Sequence, residues 1–111
     1  MSVYTPLQRD VLEAFLAPYR LGRLKAFRGI AEGTENSNFF VTTTLGRYVL
    51  TLFEGIPRAE LPYYLHLMAH LARHGLPVPG PIANRHNEYL GTLQERPAAL
   101  VVRLSGSSEM N

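Results

Sequence analysis

The sequence has no cysteine, no tryptophan, one lysine (Lys25) and one aspartate (Asp10). Without cysteine there is no disulfide, no thiolate metal site and no thiol nucleophile. With a single lysine, scattered arginines and a formal net charge of +2, there is no basic stripe to track a nucleic-acid backbone, so no nucleic-acid partner is expected. No apolar run approaches the roughly 18 residues of a membrane span, and the N-terminus lacks a charged segment followed by an apolar one. No membrane partner is expected, and the cytoplasm is the expected location. The lone aspartate is the most restrictive of these shortages. Metal-dependent phosphoryl transfer needs acidic or amide metal ligands and a group that orients the nucleophile. One aspartate in a first helix does not supply both. A Ser–His–Asp arrangement could draw only on Asp10, and no serine sits in a Gly-x-Ser-x-Gly elbow.

What is present is ordinary globular composition: 111 residues, 46% apolar and 18% charged, the size of one domain with a modest core. Thr5, Pro6 and Gln8 read as a capped helix start, with Leu7, Val11, Leu12, Phe15 and Leu16 at helical spacing and Pro18 and Gly22 ending it. Residues 24–31, 38–44 and 47–54 read as strands; Leu45 and Gly46 form a tight turn between the last two. The near-continuous apolar run of 47–54 suggests a central strand covered on both faces. Residues 59–74 form a helix with Leu61, Leu65, Met68 and Ala72 on one stripe, and Gly75 is its natural cap. A proline-rich link, 76–81, leads to short strand candidates at 82–84, 88–94 and 98–104. Short connections favour antiparallel pairing. The expected class is α+β: an antiparallel sheet of about five strands, one long packed helix and an N-terminal helix.

Four local features compete for function. The segment 29–44 is strand–turn–strand with a polar tip. Its glycines, with Asn36, Ser37 and Asn38, can present donors to a phosphate, and the same residues suffice for an ordinary hairpin. It is neither Gly-x-Gly-x-x-Gly nor a P-loop. His66, His70 and His74, at i, i+4 and i+8, could meet a metal, but they centre opposite the apolar stripe, where a solvated face is the simpler account; no metal ligand is assigned. Glu32 and Glu35 flank the tip without the fixed spacing of a paired-carboxylate site. Residues 77–81 resemble a polyproline ligand but are accounted for as a link between helix and strand.

Taken together, the strings EGTENSNFFVTTT (32–44), GRYVLTLFE (46–54), LPYYLHLMAHLARHGLPVPGPI (61–82) and PAALVVRLSG (97–106) resemble the N-terminal lobe of the aminoglycoside phosphotransferase and choline kinase superfamily. More narrowly they are similar to its bacterial homoserine kinases. The resemblance runs over nearly the whole chain. It implies a kinase-like ATP-binding lobe over residues 1–106, with 107–111 as a tail, and no catalytic residue here, since the catalytic and Mg2+-binding aspartates would come from a C-terminal lobe. It implies ATP and Mg2+ as cofactors of the parent enzyme and L-homoserine as its acceptor. Residues 32–38, with Gly33, Asn36, Ser37 and Asn38, would cover the phosphates. Ile30, Val41 and Val49 would flank the adenine, and Val102, Arg103 and Leu104 would be the hinge. Thr51 stands where the wider superfamily carries a phosphate-binding lysine, and Glu60 is a candidate for the helix glutamate. The fragment alone is expected to be inactive and, exposing the face its partner lobe would cover, to self-associate. Two alternatives stay open: another small-molecule kinase of aminoglycoside or choline type, and a non-enzymatic domain that binds a nucleotide or a partner.

Overall fold

The computed structural model describes residues 7–30 and 36–103. Helix α1 (Arg9–Leu16) passes into a short 3-10 turn, Ala17–Tyr19. Strands β1 (Leu24–Ile30), β2 (Ser37–Thr43) and β3 (Gly46–Leu52) follow. Then come a 3-10 turn, Arg58–Glu60, helix α2 (Leu61–Arg73), β4 (Gly91–Leu93) and β5 (Arg96–Val102). All five strands form one antiparallel sheet in the order β1-β2-β3-β5-β4. The α+β expectation holds, and β3 is the central strand.

Period-two alternation decides which face each side chain meets. Ser37, Phe39, Val41 and Thr43 of β2 and Tyr48, Leu50 and Leu52 of β3 are buried on one face. There they pack with Leu12, Leu16 and Tyr19 of the N-terminal helical segment, Leu24, Leu93, Ala98 and Leu100. Each fully buried leucine contributes about 2 kcal/mol by leaving water. The second face carries Asn38, Phe40, Val49, Thr51, Ala99 and Val101, mostly half-buried. Helix α2 covers one end of it: Leu61 and Leu65 pack with Phe53 and Ala99. β3 is therefore sealed on one face and only partly covered on the other.

Several boundaries differ from the sequence reading. Helix α1 begins at Arg9, so Gln8 is the residue before it and makes no side-chain capping bond; Thr5 and Pro6 lie outside the described residues. The β2–β3 turn is Thr44–Leu45, and Gly46 opens β3 opposite Thr43. Residues 58–60 wind as 3-10, which places Pro62 second in α2, where its missing N–H has no helical acceptor to lose. The buried stripe is Leu61, Leu65 and Ala69, with Met68 and Ala72 half-buried, because Met68 faces the open part of the sheet. Gly75 caps α2 as expected: its φ is +85°, its N–H donates to Ala72 O and the Leu76 N–H donates to Leu71 O, both at 3.1 Å. Residues 82–84 form no strand; Pro81 makes a single bridge to Val101. The strand expected at 88–94 shortens to three residues, since residues 84–88 are tied into a turn by Asn84 Oδ1, which accepts from the His86 and Glu88 amides. Pro97 lies inside β5, yet β5 pairs with β3 only from Ala98 onward, so its absent N–H breaks no rung of that ladder.

Candidate functional site

Strand register aligns two rows of side chains on the second face. Ile30, Asn38, Thr51 and Ala99 are direct partners across β1, β2, β3 and β5. Arg28, Phe40, Val49 and Val101 form the adjacent row. Where α2 and the proline-rich link stand off from the sheet they leave a cleft of about 220 Å³. Asn36, Asn38 and Thr51 line its polar side; Tyr64, Met68, Pro79, Ala99 and Val101 are among its apolar lining. Larger hollows lie beside α1, of about 320 and 480 Å³. Volume does not choose between them. A site needs an apolar wall with a few convergent polar groups, and the 220 Å³ cleft has both.

The polar side is organised by hydrogen bonds. Thr51 Oγ1 donates to Asn38 Oδ1 at 2.7 Å. Asn36 Oδ1 accepts from the Glu54 backbone N–H at 3.1 Å. Ser37 Oγ donates to Glu54 Oε2 at 2.8 Å, and Arg96 Nε lies 3.4 Å from the same carboxylate oxygen. These contacts tie Asn36 and the first residue of β2 to Glu54, just beyond β3. Amide side chains at such a place can present N–H donors to an anion.

The sequence-predicted residues divide by face. Ile30, Asn38, Val49 and Thr51 share the cleft side of the sheet, and Asn36 lines the cleft. Val41 does not: it is fully buried on the opposite face, among the α1-side core residues. Its parity places it there, one residue from Phe40, whose side chain is on the cleft side of the sheet. Ser37 is likewise buried, at 2% exposure, and its hydroxyl bonds Glu54. Val102 ends β5 and Arg103 follows it, both with their backbone N–H groups engaged, Val102 to Gly80 O at 3.0 Å and Arg103 to Arg47 O at 3.3 Å. Gly33 and Leu104 lie outside the described residues, as do Glu32 and Glu35. Glu60 is exposed ahead of α2.

Phe40 was missed. Its ring sits beneath two guanidinium groups, Arg103 at 4.0 Å and Arg28 at 5.2 Å from the centroid. Strict alternation from Asn38 would have found it. The histidines lie on the exposed side of α2, as expected, with His70 and His74 rings 4.2 Å apart and His66 edge-on to Tyr89. Among the described residues no three His, Cys, Asp or Glu side chains converge on a metal position.

Away from the cleft, Tyr19 is buried in the core beneath α1. Burial, helped by the negative charge of Glu88, pushes its phenol up to about 12. Its hydroxyl has no hydrogen-bond partner among the described residues.

Comparison with known proteins gives the same picture. Homoserine kinase of Pseudomonas aeruginosa is 55% identical over 109 residues, which is 98% of this chain and 34% of the relative. Homoserine kinase of Burkholderia thailandensis is 48% identical over 110 residues, 99% of this chain and 33% of the relative. The chain therefore spans about a third of the length of the curated relatives it matches. The crystal structure of a spectinomycin phosphotransferase, APH(9)-Ia, in complex with ADP and spectinomycin superimposes on 91% of this chain and 31% of its own, with a TM-score of 0.69 at 15% identity. The kinase-like lobe topology is thus common to both. The phosphotransferase enzyme family matches residues 26–111, and the chain belongs to that family.

Proposed function

We propose that this chain is the nucleotide-binding lobe of a homoserine kinase. The parent reaction transfers the γ-phosphoryl group of ATP to the side-chain hydroxyl of L-homoserine, giving O-phospho-L-homoserine on the way to threonine. The observation that carries the reading is the cleft itself: an apolar floor and wall joined to an asparagine- and threonine-lined end. Relatives bearing the name homoserine kinase match nearly the entire chain, and the structural neighbour is described with ADP.

In this reading the purine lies against Val49, Val101 and Phe40, with Ile30 at the edge of the sheet. Segment 32–38 covers the phosphates. The hinge is met through carbonyl oxygens or Leu104, because the Val102 and Arg103 N–H groups are engaged inside the sheet. Bound ATP supplies the group to be transferred; the residues here hold and orient it and keep water from the adenine face. The described residues do not fit Mg2+, since no set of carboxylates converges in the cleft, and no step is assigned to that ion through them. The 111 residues alone are proposed to transfer no phosphoryl group. Their only aspartate, Asp10, is exposed on α1, the helix that packs on the sheet face opposite the cleft.

Two measurements test this. Titrating adenosine into the ¹⁵N-labelled chain should shift the amides of Val49, Val101 and Phe40; unmoved cleft resonances at millimolar adenosine would overturn the binding role. Assaying the product of the gene that encodes these residues against L-homoserine, choline and spectinomycin should show phosphorylation of L-homoserine. Preference for either other acceptor would replace the substrate while keeping the lobe.

A further inference from the structure

We infer that His70 and His74, at the C-terminal end of α2, form a two-imidazole site for a divalent transition-metal ion, Cu2+ or Ni2+, outside the nucleotide cleft. Residues four apart on a helix stand about 40° apart around its axis, one turn above the other. In this structure the two rings are 4.2 Å apart between centroids and inclined at 41°, and both residues are exposed. The α2 residues that line the cleft are Tyr64, Leu65 and Met68. The pair is therefore separate from the site already described, and the inference does not depend on the nucleotide reading.

A metal ligand needs a nitrogen lone pair, and a hydrogen bond decides which nitrogen of His74 has one. His74 Nδ1 lies 2.9 Å from the His70 carbonyl oxygen. A carbonyl oxygen only accepts, so Nδ1 carries the proton, and in the neutral imidazole the lone pair is on Nε2. A ring N–H held by a backbone carbonyl is the usual support of a metal-bound histidine, because it fixes both tautomer and ring orientation. The His70 ring contacts the His74 ring and makes no hydrogen bond among the described residues. It can turn a nitrogen to the ion without breaking one.

The ring separation selects the metal. With metal–nitrogen bonds of about 2.0–2.1 Å, two imidazoles at a right angle on one ion have centroids about 4.5 Å apart, and at the tetrahedral angle about 5.2 Å apart. The observed 4.2 Å is near the first. Right-angled nitrogen ligands belong to tetragonal Cu2+ and Ni2+ rather than to tetrahedral Zn2+, and Cu2+ is the tightest binder of the series. His66 does not add a third ligand: its ring is edge-on to Tyr89, 4.9 Å away. Among the described residues no set of three His, Asp or Glu converges, so water fills the remaining positions. The last turn of a helix also presents the negative end of its aligned peptide dipoles, which favours a cation there. Arg73, the other charged side chain of that turn, stands about 100° around the axis from His74.

The experiment titrates the full, untagged, ¹⁵N-labelled chain with Cu2+ or Ni2+ alone, and with Mg2+ as control. One Cu2+ or Ni2+ should bind per chain, broadening the amides of residues 70–75 first. Mg2+, which prefers oxygen ligands, should leave them unmoved. Two ligands on one ion act as a chelate, so losing either should weaken binding on the order of a hundredfold. His70→Asn and His74→Asn should each show that loss, whereas His66→Asn and His86→Asn should bind as the wild type does. Both site residues are exposed, and the metal-free spectrum of each variant reports whether it is folded. Because the pair is assembled only in the folded helix, Ni2+ should raise the Tm of the wild-type chain and not that of either site variant. Wild-type affinity in His70→Asn or His74→Asn overturns the inference. So does a fall of only about twofold in both, the result for two independent histidines. Binding that follows His66 or His86, or no broadening of α2 by Cu2+, overturns it as well. None of these outcomes alters the nucleotide-binding reading.

Discussion

Ser37 Oγ donates to Glu54 Oε2 at 2.8 Å, tying the first residue of β2 to the second residue beyond β3. The serine is 2% exposed, so its hydroxyl bonds out of contact with bulk water. The Arg96–Glu54 pair shares the same carboxylate oxygen at 3.4 Å, with side chains 40% and 28% exposed. Solvent screens the second interaction far more than the first. Ser37→Ala should therefore cost about 1–2 kcal/mol of stability, and Arg96→Ala roughly 0.5 kcal/mol or less. Urea unfolding of the two variants checks the ranking; a larger loss at Arg96 would reverse the assignment of which contact holds this corner.

The α+β order, the sheet and the packed helix were legible because apolar residues of β2 and β3 alternate and those of α2 recur every third or fourth position. Asn38 and Thr51 came from the resemblance, and what makes them direct partners is the two-residue turn at 44–45, one position earlier than the sequence reading put it. Val41 was named from the resemblance and lies on the opposite face, because it shares the parity of the buried Phe39 along β2. The strand at 82–84 failed because Pro81 removes a donor and Asn84 folds the chain into a turn, and local side-chain bonding of that kind outweighs weak strand propensity.

Gly22 holds the entry to β1. Its φ is +85°, and a Cβ there would collide with Thr44 Oγ1. That oxygen already accepts from the Arg23 N–H at 3.1 Å, so it cannot move aside without breaking the contact that joins the start of β1 to the β2–β3 turn. Gly22→Ala combines left-handed backbone strain with displacement of Thr44, and should destabilise by about 1–3 kcal/mol. Thermal unfolding measures it. Full stability in Gly22→Ala would show that the turn relaxes freely.

Tyr19 gives the fold an alkaline limit. Its phenol titrates near 10 in an unfolded chain and is pushed up to about 12 by burial and by Glu88. Between those values the folded state holds the proton that the unfolded state has released. Stability is therefore complete below about pH 10 and declines as pH rises toward 12, by on the order of 2 kcal/mol. Tyr19→Phe removes both the titration and a buried hydroxyl without a partner among the described residues. The variant should be at least as stable as the parent at neutral pH, and its urea midpoint should fall less between pH 9 and 11. An identical alkaline decline in the two proteins would assign the loss to other groups.

The isolated chain should self-associate, and the structure favours the cleft face over a sheet edge as the surface. The outer edge, β1, presents Lys25 and Arg28, both exposed, and edge charges oppose pairing between copies. On the cleft side Tyr64 is 46% exposed, next to the half-buried Met68 and Val101. Apolar area of this kind, left uncovered, drives association. Light scattering at high concentration should give a mass above the 12.4 kDa of one chain. Tyr64→Ser should lower it toward the monomer, whereas Lys25→Ser should not. A monomeric wild-type chain would end the prediction. Association strengthened by Lys25→Ser and indifferent to Tyr64→Ser would move the contact from the cleft to the β1 edge.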